Sequence, residues 1–347
     1  MSDMKDLDSY YTSLQEPGKK QKYQNWETAK GLQQVDGLST SAYLDEVARR
    51  NIEGDITSYE AARLIDSYYD VKSDRDKEAE YKEADTVASR INILIEETGF
   101  SLEADELRHI HRRLFEGVFD HAGDYRSGNI AKREWVLDGD SVIYGDYHYI
   151  PDNLERYIRR ERLTSYAKLD KEEILTRLSK CISDIWQVHP FSEGNTRTVA
   201  VFAIKYFRYL GFEVDNTVFQ NNSWYFRNAL VRANYVNVRK HIDLDRSFLE
   251  GFLSCILFYS SPKEFHNRDL HIYATTLPTA QVNHGKGLDA LLQEDIAHDN
   301  TITRREMAIK HGVTEKTIER HLKGMGIRFE GASKTGHWVL PVPGTGK

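Results

Sequence analysis

The chain has 347 residues, of which 40% are hydrophobic and 29% charged, with a formal net charge of −7. That composition excludes a disordered chain, and no window approaches the roughly 18 to 20 apolar residues of a membrane span. The opening "MSDMKDLDSYY" carries no apolar signal core, and Cys181 and Cys255 lie in apolar helical runs, so they read as buried thiols of a cytoplasmic protein.

Taken in chain order, helical spacing dominates. Apolar residues recur at i, i+3, i+4 and i+7 in "YLDEVARR", "SYEAARLIDSYY", "ADTVASRINILIEE" and "LRHIHRRLFEGVF". Ser58 and Ser101 stand where helix caps are expected, and Gly99 and Gly211 where helices end. His109 and His111 form an HxH, but positions i and i+2 diverge on a helix, so a shared metal is not expected. "GNIAKREWVLDGDSVIYGDYHYI" alternates and holds a DGD turn, which predicts a β-hairpin over residues 128–150. Helical spacing returns in "ILTRLSKCISDIWQV", "TVAVFAIKYFRYLG", "WYFRNALVRANY" and "RSFLEGFLSCILFY", then fades into a linker at 263–286. Residues 287–347 read as helix, short helix, turn, helix and two strands around "GASKTG", the order of a winged helix-turn-helix. Residues 301–347 hold nine Lys or Arg against four Asp or Glu, a surplus of five that leaves −12 on the rest. A basic tail on an acidic body suggests separate partners, DNA or a docking protein among them, with Lys316, Arg320 and Lys323 near one helix face.

One turn concentrates polar groups between two apolar helices: "HPFSEGNTR", His189 to Arg197. Pro190 stops the first helix, and a second starts after Asn195, so the turn presents unpaired N–H groups at a helix N-terminus, a place suited to phosphate. Gly194 allows close backbone approach. Asn195 can donate to a phosphate oxygen, and Arg197 can clamp further oxygens as a fork. Glu193 would repel phosphate and makes sense as the ligand of a divalent metal bridging the phosphates. His189 can accept a proton from an attacking hydroxyl.

These residues resemble the signature of the Fic family, HxFx(D/E)GNGRxxR. "LFEGVFDHAGDYRSGNIAK" is similar to the segment before that family's active-site flap, and "NNSWYFRNALVRAN" to the helix closing its adenine pocket. The resemblance covers roughly 76–262. It implies an all-α Fic fold with a β-hairpin flap, preceded by an antitoxin-like helical region at 1–75. It further implies transfer of AMP from ATP, with Mg²⁺, to a hydroxyl of a target protein. In that reading His189 is the general base, Glu193 the metal ligand, and Gly194, Asn195, Thr196 and Arg197 hold the phosphates. Phe191 anchors the loop, and Tyr225 and Asn234 lie on the adenine side. The flap near Ile130 to Arg133, including Lys132, borders the nucleotide and registers an extended target segment.

Two positions depart from the signature. Thr196 replaces the second Gly and is expected to be helical, with its hydroxyl near the phosphates; Ala200 replaces the last Arg. Relatives also carry an inhibitory helix of pattern (S/T)xxxE(G/N). Here "LQQVDG" offers Asp36 and "RRNIEG" offers Glu53, neither a full match. Open alternatives are a DNA-binding regulator with a decayed nucleotide site, removal of AMP, another donor, and a homodimer.

Overall fold

A computed structural model describes residues 18–71, 76–259, 264–274, 288–298, 300–304, 307–308, 315–330 and 337–340. The "HGV" turn, the "GASKTG" segment and residues 263 and 275–286 of the expected linker lie outside them. Two compact units emerge, one from Met1–Glu134 with Asp140–Phe265, the other from Trp135–Gly139 with His266–Lys347. No helix among the described residues is long and apolar enough to cross a membrane.

The first unit opens with α1 (Lys19–Gln33), a single-turn helix Gln34–Asp36, α2 (Ala42–Glu53), α3 (Ser58–Val71) and α4 (Asp76–Glu96). Helix α1 has little amphipathic pattern, yet Trp26, Ala29 and Leu32 are fully buried, and α1 packs against α4 and α9 (Phe219–Arg232). Several polar groups inside that packing are matched. Trp26 Nε1 donates to Asn51 Oδ1 at 2.9 Å, Thr28 Oγ1 to Asn216 O at 2.7 Å, and Tyr69 OH to Asp85 at 2.6 Å. Buried polar groups of this kind are costly unless paired, so they fix one arrangement of α1–α4. The cap of α3 is Thr57 rather than the expected Ser58. Thr57 Oγ1 accepts from Glu60 N at 3.2 Å while Glu60 accepts from Thr57 N at 2.8 Å, a capping box. Ser58 is buried and donates to Glu96. Helix α5 (Ala104–Phe115) is preceded by Glu103, not capped by Ser101.

The centre is α7 (Lys171–Val188) against α8 (Asn195–Tyr209), flanked by α5, α6 (Ile150–Arg162) and α10 (Ser247–Phe258). Asp170 and Glu173 close a capping box at the start of α7. Every residue from Asn195 to Phe207 is buried, so α8 is the core helix, with its buried Lys205 donating to Leu94 O and Glu97 O.

The expected β-hairpin is not formed: residues 128–150 contain no strand. The DGD turn exists, with Asp138 and Gly139 at positive φ and Glu134 N donating to Asp140 O at 2.9 Å. The arms, however, give their backbone groups to other partners. Gly145 N donates to Gln187 O at 3.0 Å, Ile143 O accepts from Gln187 Nε2, Lys132 N donates to Ser141 Oγ, and Tyr147 N to Asn129 Oδ1. A ladder cannot form from groups already bonded elsewhere.

In the second unit, Val136 O accepts from Ile272 N at 2.9 Å, and the Trp135 and His271 rings lie 5.1 Å apart. Its own core joins Leu292 and Ile296 of α11 (Leu288–His298), Met307, Ile318 and Leu322 of α12 (Glu315–Gly324), and Trp338. Strands β1 (Arg328–Glu330) and β2 (His337–Val339) pair antiparallel with Phe329 opposite Trp338. On α12, Arg320 and Lys323 are exposed, and Glu319 pairs with Arg304 at 3.2 Å.

Gly31 tests the embedding of α1. A Cβ there would lie 2.6 Å from the carbonyl oxygens of Phe219 and Gln220, which are backbone and cannot rotate away. Gly31→Ala should therefore cost about 1–3 kcal/mol in urea denaturation, despite alanine's better helix propensity. An unchanged or raised midpoint would show that α1 and α9 are not in close contact.

Candidate active site

Helix α7 ends on His189, which sits at φ +49°, a left-handed conformation unusual for a side chain with a Cβ. That reversal turns the imidazole back against the end of its own helix. The ring is 3% exposed, lies 4.2 Å from the Tyr144 ring, and meets the Trp186 ring edge-on at 5.1 Å. Nδ1 is 3.3 Å from Trp186 O, so the hydrogen-bond pattern assigns the proton to Nδ1. Nε2 is buried with no hydrogen-bond partner, leaving a lone pair available. Burial pushes the His189 pKa well below the ordinary value, and the charges of Lys132, Arg227 and Arg126 push the same way. The result is a neutral imidazole with a free acceptor nitrogen.

The turn after His189 folds around Asn195. Its Oδ1 accepts from Phe191 N at 2.9 Å and its Nδ2 donates to Phe191 O at 2.7 Å. Asn195 therefore shapes the loop, beyond any contact to phosphate. Gly194 has φ +73°, and a Cβ there would overlap the Phe115 ring, so both conformation and space demand glycine. Thr196 is helical, as its branched Cβ requires, but its hydroxyl accepts from Trp186 Nε1 at 3.1 Å and ties α8 to α7. Glu193 is half-exposed, and Lys132 Nζ lies 3.5 Å from its carboxylate.

The loop is held from below by His111, a residue whose role sequence spacing does not reveal. Its Nδ1 accepts from Gly123 N at 2.8 Å, so its Nε2 carries the proton and donates to Glu193 O at 3.1 Å. The ring stacks on Phe191 at 3.8 Å. Burial lowers its pKa to about 4.

Arg197 is 1% exposed and already engaged. Its Nη2 donates to Glu83 at 2.7 Å and its Nη1 to Gln33 Oε1 at 3.1 Å. Asp36 Oδ2 lies 2.8 Å from Nε, in charge contact but not aligned as a hydrogen bond. The guanidinium also covers the Phe115 ring at 4.7 Å. Of the two expected inhibitory acids, Asp36 thus reaches Arg197. Glu53 instead pairs with Lys19 at the exposed end of α2. Gln33 and Glu83 join the grip from α1 and α4, and no local motif marks either.

The remaining expected positions are less open. Tyr225 is buried and packs on Phe265 at 4.6 Å. Asn234 Nδ2 donates to Leu230 O and Ser183 O, finishing α9, while the residue borders a small pocket with Gln187 and Leu244. Ile130 and Lys132 are half-buried. Arg227 on α9 makes a bidentate pair with buried Glu134 at 2.7 and 2.9 Å. Among the described residues no group of three His, Cys, Asp or Glu could hold a metal by itself.

The His111 geometry gives a pH test. Its folded-state pKa is depressed, so between pH 6.5 and about 4 the unfolded chain binds a proton that the folded chain refuses. Stability is then lost as pH falls through that window, by about 3 kcal/mol. Urea midpoints measured across the window should fall, and His111→Asn should flatten the slope; an equal slope would contradict a buried neutral His111.

Comparison with known proteins places a family match over this region of the chain. The Fic/DOC family profile matches residues 101–207, which include the loop and most of α8. The chain is similar to "Protein adenylyltransferase VbhT" of Bartonella schoenbuchensis, 27% identical over 172 residues, 44% of this chain and 34% of that protein. It is also similar to "Probable protein adenylyltransferase y4lH" of Sinorhizobium fredii, 28% identical over 142 residues, 38% of this chain and 65% of that protein. Both matches span less than two thirds of the relative's length. A crystal structure of a Fic family protein from Desulfovibrio desulfuricans is 13% identical, covers 91% of this chain and 97% of that one, and has a TM-score of 0.38. Residues 101–207 of the chain thus match the Fic/DOC family profile, and the chain is similar to the two named relatives over part of its length.

Proposed function

We propose that this chain transfers AMP from ATP to a hydroxyl side chain of a target protein. The observation that carries the reading is the neutral, buried His189 with an unpartnered Nε2, a few residues from the start of α8. Such a nitrogen can take the proton of an attacking hydroxyl, while the N–H groups at the helix start stabilise charge on the α-phosphate. The target oxygen bonds to the α-phosphorus, the bond to the β-phosphate oxygen breaks, pyrophosphate leaves, and the proton stays on Nε2 until solvent removes it. The names of the two relatives support the same class of reaction.

A divalent cation fits this site in one way. Mg²⁺ is commonly held by one or two carboxylates together with substrate phosphates and water. Glu193 is a single half-exposed carboxylate, suited to a metal that arrives with the nucleotide and ill-suited to a resident one. When bound, Mg²⁺ would neutralise phosphate charge; Lys132 would have to release Glu193 first.

The N-terminal region is read as a restraint on the same site. Gln33, Asp36 and Glu83 occupy the guanidinium that the outer phosphates would need. Truncating α1 would not test this, because Trp26 and Leu32 are core residues. For the second unit we infer a winged helix-turn-helix, on the order of α11, α12, β1 and β2 and their shared core.

Intact-mass measurement after incubation with Mg²⁺ and each nucleoside triphosphate tests the reaction. The expected result is a gain of one AMP from ATP, abolished by His189→Ala with the fold retained. Labelling by the variant at the parent rate would refute the general-base role. Asp36→Asn combined with Glu83→Gln should raise ATP affinity about tenfold, since the charged contacts of Arg197 that ATP must displace, an ion pair with Asp36 and a hydrogen bond donated to Glu83, are weakened. Equal affinity in the parent and the double variant would remove the restraint.

A further inference from the structure

Arg126 is a buried cation whose described hydrogen-bond partners are all backbone carbonyls. Its Nε donates to His189 O at 2.7 Å, its Nη1 to Gly128 O at 2.6 Å, and its Nη2 to Val188 O at 3.2 Å and to Gly145 O. Its own N–H donates to Pro190 O at 2.9 Å. It is 5% exposed. One side chain thus joins the end of α7, the left-handed His189 and the first and last residues of the extended arms. Val188 and His189 carry carbonyls that the helix itself leaves unpaired, and a cation is favoured at a helix C-terminus. Only a planar guanidinium has enough fixed donors for four carbonyls; lysine keeps the charge but not the fork.

We propose that Arg126 is the positioning residue for the base, pinning the backbone of His189 so that Nε2 faces the start of α8. This rests on the reading of His189 as general base. The same guanidinium acts on the imidazole electrostatically. Three cations bear on His189: Lys132 from the arms, Arg227 from α9, and Arg126. Lys132 has Glu193 beside it and Arg227 has Glu134. Arg126 has no such ion pair among the described residues; the carboxylate that bears on it, Asp146, is exposed and pairs with His148. Tyr144 and Trp186 supply the ring's apolar walls, and Trp186 O its one described polar partner.

The test uses the full chain with Arg126→Lys and Arg126→Gln. Three quantities are read: the dissociation constant of a non-hydrolysable ATP analogue, the single-turnover labelling rate against pH, and the His189 ring titration by NMR. Arg126→Lys should label at least about tenfold more slowly, with analogue affinity held within about threefold, because misplacing a base costs rate rather than binding. Its acid limb should not move, since the charge is kept. Arg126→Gln should show the same rate loss, and its acid limb and ring titration should both move to higher pH, because a cation opposing the imidazolium is gone. A labelling rate within about threefold of the parent in both variants would overturn the proposal. So would an affinity loss as large as the rate loss in Arg126→Lys, or an unmoved His189 titration in Arg126→Gln. A parent chain that labels nothing would refute AMP transfer, and the NMR titration would still decide the link between Arg126 and His189. Should Arg126→Gln fail to fold, rate against affinity in Arg126→Lys decides the matter.

Discussion

Everything at this site depends on one helix ending where a histidine reverses the chain. With His189 left-handed at the end of α7, the chain turns and the next helix begins six residues on, at Asn195. The reversal is unfavourable for a residue with a Cβ, so the surroundings must hold it. They do so by burial against Tyr144 and Trp186 and by the Asn195 side chain closing on Phe191. His111 supports the same loop from below through Glu193 O. An imidazole held in this way is kept neutral by burial and nearby cations, which suits the proton acceptance proposed for it.

Arg197 connects that site to the rest of the chain. A guanidinium so buried must be matched, and its partners come from α1, the turn after it, and α4. Removing one member of such a buried set usually costs about 3–5 kcal/mol, because the remaining charge is stranded. The N-terminal helices are accordingly part of the core that presents the site, and under the proposed function the phosphates of a nucleotide would have carboxylates to displace. With Ala200 where the signature has its last arginine, Arg197 carries more of that burden alone on α8.

Much of this was legible from the residues. Helical periodicity located α2 to α5 and α7 to α10, because those helices each bury one face or all of it. The "HPFSEGNTR" loop was legible because its chemistry is packed into nine consecutive residues. What was not legible is non-local. Glu83 lies 114 positions from Arg197, and nothing in its own neighbourhood marks it. The alternation in 128–150 was real, but it reflects arms that bury Glu134, Val142 and Tyr144 without forming a strand ladder. The cap of α3 shifted from Ser58 to Thr57 because Ser58 is needed inside, against Glu96.

The central claim is that the start of α8 cradles the α-phosphate in front of His189. A crystal structure with Mg²⁺ and an ATP analogue that cannot lose pyrophosphate tests it most directly. The account predicts the α-phosphate on the amides around Gly194 to Thr196, with His189 Nε2 facing the line along which a hydroxyl would attack, and the Arg197 grip by Asp36 and Glu83 loosened. A nucleotide bound away from this turn, or phosphates pointing away from His189, would contradict it.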